Sequence, residues 1–165
     1  MKTVLFTSSI LVTILTASAG AAEPTKLAFD TYSGYFVSNQ FEPDAPASFA
    51  VIDDQAGFDR VFGVAMVMGD KSHRLPKDAF KSHLILTAIK RGNASCEYKV
   101  EGVTVERGVI QLRYAVTSQP TPGASFACPL IVSAPRGTYQ AVAFIEDGKK
   151  VNTLRIGGKT PKETP

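Results

Sequence analysis

The chain has 165 residues, with 18 Lys and Arg against 15 Asp and Glu, and 44% of it is hydrophobic. That composition excludes a disordered charged polymer. The net charge of +3 falls short of the basic excess that marks a nucleic-acid surface, so no nucleic-acid partner is expected.

Lys2, the apolar run from Val4 to Leu15 and the small residues Ala17 to Ala22 form the three parts of a secretory leader over residues 1–22. The run is shorter than the roughly 20 apolar residues that cross a bilayer, and no Cys lies at the boundary to carry a lipid. The expected product is therefore periplasmic or secreted, without a membrane anchor. A remainder of about 140 residues suits one domain, placed at 23–156. Residues 157–165 are too polar to pack and are expected to form a disordered tail. Between Glu23 and Asp70 acidic residues outnumber the only bases, Lys26 and Arg60, so the later part carries the positive excess. The two signs are expected to interleave on folding, although the asymmetry also suits steering of a partner.

Along the chain, Thr31 to Asn39 carries Tyr32, Tyr35, Phe36 and Val37, and Ser48 to Ile52 reads as a strand. Asp53 or Asp54 can cap a short helix in which Phe58, Val61 and Phe62 recur at helical spacing, with Gly63 expected to end it. Val64 to Met68 predicts a further strand, followed by a polar loop from Gly69 to Lys77. The second half reads as a meander. Strands are expected at His83 to Lys90 and Cys96 to Glu106, and the apolar phase slips by one beyond Gly102, the mark of a β-bulge. After a tight turn at Arg107 and Gly108, Ile110, Leu112, Tyr114 and Val116 alternate inward against outward Gln111, Arg113 and Ala115. Pro120, Pro122 and Gly123 end that strand. Cys128 to Ser133 and Tyr139 to Ile145 are apolar enough for central strands, and Asp147 with Gly148 predicts a hairpin into Val151 to Ile156. The expected fold is mainly β, an antiparallel β-sandwich or curled meander sheet with one short helix.

Cys96 and Cys128 both open predicted strands, and in an oxidising compartment they are expected to pair as a disulfide. The familiar catalytic signatures are missing: no GxSxG elbow, no HExxH and no EF-hand loop. His73 and His83 lack the spacing of metal ligands. Gly158, Lys159 and Thr160 lack the first glycine and the following helix of a phosphate loop. No catalytic residue, cofactor or metal is therefore expected. Asp53 and Asp54, with Asp59 nearby, leave open a small secreted hydrolase or carbohydrate-active enzyme that uses a carboxylate pair as acid and base. Their use as helix caps competes with that role. A protease inhibitor presenting the loop Gln119 to Ser125 is a third reading. Asn93, Ala94 and Ser95 form a glycosylation sequon, relevant only in a eukaryotic host. One positive hint of a surface comes from Tyr32, Tyr35, Phe36 and Phe41, interspersed with Ser33, Gly34, Ser38 and Asn39, a mix suited to a protein contact. Alternating aromatics of a first strand more often belong to the core.

The run from Leu75 to Ile145 resembles the small C-terminal β domain of PrcB-type protease-complex subunits, a bacterial extracytoplasmic family. The resemblance rests on Pro76, Asp78 and Phe80 before the strand ending at Gly92, on the Tyr98 to Val103 strand, on the Pro120 to Gly123 turn, and on the apolar strand ending in Ser133, Ala134 and Pro135. The Val51 to Phe62 segment fits the short helix that precedes that domain. It covers about half of the chain beyond the leader, and it implies an accessory or binding component beside a secreted protease, with no chemistry of its own. The chain departs from the family in lacking a lipobox and in placing Cys96 where a Gly-rich approach often stands. The expected function is an exported, non-catalytic binding or accessory protein with an extracytoplasmic protein as partner.

Overall fold

In a computed structural model, residues 23–65 and 73–156 are described. The leader at 1–22, the tail at 157–165, and residues 66–72, with the end of the strand expected to reach Met68 and the start of the loop after it, lie outside the described residues.

The elements run in order as β1 (Thr25–Lys26), β2 (Tyr35–Val37), β3 (Ala47–Ile52), α1 (Gln55–Val61), β4 (Phe62–Val64), a 3-10 turn (Ala79–Lys81), β5 (His83–Gly92), β6 (Ala94–Glu106), β7 (Val109–Pro120), β8 (Phe126–Pro135), β9 (Ala141–Glu146) and β10 (Lys149–Arg155). They form a five-stranded sheet in the order β1-β6-β7-β9-β10, a three-stranded sheet in the order β3-β5-β8, and a two-stranded ladder of β2 and β4. The protein is mainly β, antiparallel-dominated, with one α-helix among the described residues.

Burial explains the layering. Leu84, Leu86 and Ala88 of β5 and Leu130, Val132 and Ala134 of β8 face Val103, Ile110, Leu112, Tyr114, Val142 and Phe144 of the larger sheet in one apolar core. The other face of the small sheet sets Ile52, Ile85, Ile89 and Ile131 against Val37, Phe58, Val61 and Phe62 in a second core. The small sheet is thus sandwiched, with the large sheet on one side and α1 with the β2–β4 ladder on the other. Strand β5 is covered on both faces, which is why its sequence is an almost continuous apolar run rather than an alternation. Each such side chain taken from water contributes about 1.5–3 kcal/mol. Thr87 is the polar exception within the run, and its hydroxyl donates to the Leu130 carbonyl at 2.7 Å.

Connections follow turn chemistry. Arg107 and Gly108 have φ of 50° and 77°, and Asp147 and Gly148 have 47° and 76°, the pair of positive values that a two-residue hairpin matching the strand twist requires. The β6–β7 register slips between Val100 and Gly102, so Glu101 is the extra residue of the bulge and Val103 returns to the core. The meander of the second half resolves into two hairpins, β6–β7 and β9–β10. Strand β5 instead turns at Asn93 into the opposite sheet as β6, and β9 returns beside β7 in parallel. Helix α1 starts where Asp54 accepts from the Gly57 N–H at 2.5 Å, and it stops one residue before the expected Gly63, where Phe62 turns extended and opens β4.

Candidate functional site

A groove of about 320 Å³ opens between α1, the β2–β4 ladder and the segment Leu75–Lys77. Its apolar wall is an aromatic stack. Tyr35 of β2 meets Phe58 of α1 edge-on with centroids 5.0 Å apart, and Phe58 meets Phe62 at 4.9 Å. Val64 and Leu75 extend the wall. The Tyr35 hydroxyl accepts from the Leu75 N–H at 3.0 Å, which fixes the far side of the groove against the ladder. Along the rim, Gln55 donates to Asp59 at 2.7 Å across one helical turn, and Lys77 lines the same opening. The volume lies at the lower end of small-ligand sites, enough for one apolar side chain with polar groups at its margin. Among the described residues, no Ser, Cys or His lines it.

The four aromatics read from the sequence separate in space. Tyr35 lines the groove, while Tyr32 and Phe41 pack half-buried onto the second core. Phe36 alone is mostly exposed, at 53%, and lies across Gly63 of the neighbouring strand. A Cβ on Gly63 would come within 2.2 Å of that ring, so the bare backbone there is what lets the aromatic lie flat. Of the carboxylates, Asp54 is turned onto the helix N-terminus, Asp59 onto Gln55, and Asp53 is exposed with its carbonyl accepting from Arg136. Only Asp59 of the three reaches the groove. The stretch Gln119–Ser125 continues β7 through Pro120 and then turns, with the Thr121 N–H donating to the Asn93 carbonyl at 2.8 Å. His83 shares a hydrogen bond with Ser82 at 2.8 Å, and His73 is exposed. Among the described residues no three His, Cys, Asp or Glu side chains gather in a metal-holding arrangement.

Cys96 and Cys128 are free thiols in this structure, yet they adjoin. The Cys96 N–H donates to the Cys128 sulfur at 3.2 Å, and the sulfurs lie 3.9 and 3.8 Å from the same Ala94 carbonyl. Burial first, and then the neighbouring Cys96 thiol, pushes the Cys128 thiol pKa up, with the Cys96 N–H pulling the other way. The pair sits where β6 of one sheet meets β8 of the other, beside the Tyr98 hydroxyl that donates to the Cys128 carbonyl at 2.9 Å.

No family model, curated protein or solved structure matches the chain. The groove residues that sequence reasoning passed over are Gln55, Val64, Leu75 and Lys77. Gln55 and Asp59 carried a signal in their spacing of four on a helix. Leu75 and Lys77 carried none, because they stand at the end of a loop whose place is set by hydrogen bonds to residues distant in sequence, from Ser33 to the His73 carbonyl and from Leu75 to Tyr35.

Proposed function

We propose that the chain is an exported, non-catalytic binding or accessory module that receives an apolar side chain of an extracytoplasmic protein in the groove beside α1. The observation that carries this reading is the groove itself, with aromatic walls, Val64 exposed at 50% at its mouth, and an amide, a carboxylate and an amine on its rim. An interface core of this kind excludes water around an anchor side chain, while polar rim groups set orientation. The leader read in residues 1–22 supports export, and the likeness of Leu75 to Ile145 to PrcB-type subunits makes a secreted protease the first partner to try. No helix among the described residues is long and apolar enough to cross a membrane.

The test is co-purification of the full chain from its native envelope or medium, beside Val64→Asp, which puts a charge at the groove mouth. A defined partner held by the wild type and released by Val64→Asp is the expected result. Recovery without a partner at any salt concentration, or equal retention by the variant, refutes the reading.

A further inference from the structure

The outer face of the five-stranded sheet gathers cations toward its β9–β10 side. Register there places Val109, Gln111 and Arg113 of β7 beside Ala141, Ala143 and Ile145 of β9, and these beside Arg155, Thr153 and Lys150 of β10. Lys26, Lys99 and Arg107 add exposed cations to the same face or its turn, and β6 sets Glu97 and Glu106 among them, so the positive excess lies toward the β10 side of the face. Its central hollow, about 390 Å³, has a recessed apolar floor of Val109, Ala143 and Ile145, with Arg107, Lys150, Gln111 and Thr153 around it. Glu106 is the one acid there, and a relay accounts for it: Arg113 donates to Gln111 at 2.6 Å, and Gln111 donates to Glu106 at 3.3 Å. The one ion pair among the described residues, Lys90 with Glu146 at 2.5 Å, ties the two sheets together elsewhere, so the outer cations have no described carboxylate partner.

We propose that this sheet face docks an acidic polypeptide segment, with carboxylates on Arg113, Lys150 and Arg155 and a small apolar side chain in the hollow between them. Strand spacing puts Arg113 about 10 Å from Lys150, and Lys150 about 13 Å from Arg155, so acidic residues on both sides of an apolar one suit the face. The hollow offers no aromatic ring for base stacking and no large apolar group to enter lipid, which favours protein over nucleic acid or membrane. The inference shares with the proposed function only the premise of a polypeptide partner, and it uses the opposite side of the molecule from the groove.

The experiment titrates a fluorescein-labelled peptide of alternating Glu and Leu with the full chain by anisotropy, comparing the wild type, Val64→Asp, and the triple variant Arg113→Glu, Lys150→Glu, Arg155→Glu. The three side chains are exposed, and a thermal melt checks that the variant folds. Saturable binding at about 20 mM NaCl, weakened about tenfold by the triple change and again at about 300 mM, is expected. Val64→Asp leaves it unchanged, so failure of the groove reading and of this one are separable. Wild-type affinity in the triple variant, or no saturable binding at low salt, overturns the proposal. So does equally tight binding of a single-stranded oligonucleotide or of phosphatidylglycerol vesicles.

Discussion

Oxidation of Cys96 and Cys128 to a disulfide should raise stability substantially, and the geometry says why. The two thiols lose two protons and two electrons to a disulfide-bearing oxidant of an exported compartment and gain one S–S bond. In the native state the sulfurs already adjoin across the junction of β6 and β8, with the Tyr98 hydroxyl holding the two strands together, so little rearrangement is needed. In the unfolded chain the bond closes a loop of about 33 residues, which in the chain-entropy model removes roughly 3.7 kcal/mol of unfolded-state freedom. Against a typical total of about 5–15 kcal/mol that is a large fraction, and for a domain of this size it corresponds to roughly 10 °C in Tm. The assay is thiol titration of freshly isolated, denatured protein, with melts in the presence and absence of reductant and Cys96→Ser as control. No titratable thiol, a reductant-dependent drop in Tm, and a Cys96→Ser melt that matches the reduced wild type are expected. Two free thiols in protein taken from an oxidising compartment, or coincident melts, refute the reasoning.

Phe144→Ala empties a fully buried site that Phe49 faces at 5.0 Å, and should cost about 3–5 kcal/mol by denaturant titration. Asp54→Ala removes the acceptor of the Gly57 N–H and should cost about 1 kcal/mol, while Asp54→Asn should keep most of it. Burial first, then the neighbouring Cys96 and Cys128, raises the Tyr98 phenol pKa above its ordinary 10.0, and burial followed by the Glu146 carboxylate does the same to Tyr114. Both phenols stay protonated in the fold after the unfolded chain begins to lose their protons, so their contribution is fully present below about pH 10 and is lost as pH rises above it. Tyr114→Phe, which also removes a buried hydroxyl with no hydrogen-bond partner, should therefore flatten the alkaline fall in unfolding free energy, and an unchanged slope would refute the assignment.

Local chemistry made much of the fold legible. A bulge at Gly102 was readable because a period-2 pattern that slips at a glycine leaves few other ways to keep Val100 and Val103 both inward, and the structure places its extra residue one position earlier, at Glu101. A cap at Asp53 or Asp54, which the structure places at Asp54, and the two hairpin turns were readable because caps and positive-φ pairs demand particular residues. What alternation cannot say is which strand lies beside which: a pattern of inward Ile110, Leu112 and Tyr114 is satisfied by any neighbour, so the parallel partnership of β7 with β9 left no trace. The same limit hid the groove. Tyr35 was legible as an aromatic, but its hydrogen bond to the Leu75 N–H spans a separation of 40 residues and depends on the second core being built first.

That second core also explains why most charges lie on the outer layers. Because β5 is buried on both faces from Leu84 to Ile89, the small sheet carries charge only at its end, where Lys90 pairs with Glu146 and Arg91 donates to Ser48 and to the Phe41 carbonyl, and the other charges sit on the outer layers. The layer of α1 and the β2–β4 ladder, with the loops that flank it, exposes Glu42, Asp44, Asp53, Asp54 and Asp59, with Arg60 and Lys77 among them. The five-stranded sheet takes Arg113, Lys150 and Arg155 toward β10 and Glu97 and Lys99 on β6, since these alternate with its core positions. The resulting field orients any charged partner before contact, an effect that salt screens within about 8 Å at physiological ionic strength. An acidic segment of the proposed kind would therefore be drawn first to the β10 side of the sheet. A partner that reaches the groove beside α1 must instead come with its apolar anchor, or with positive charge, leading.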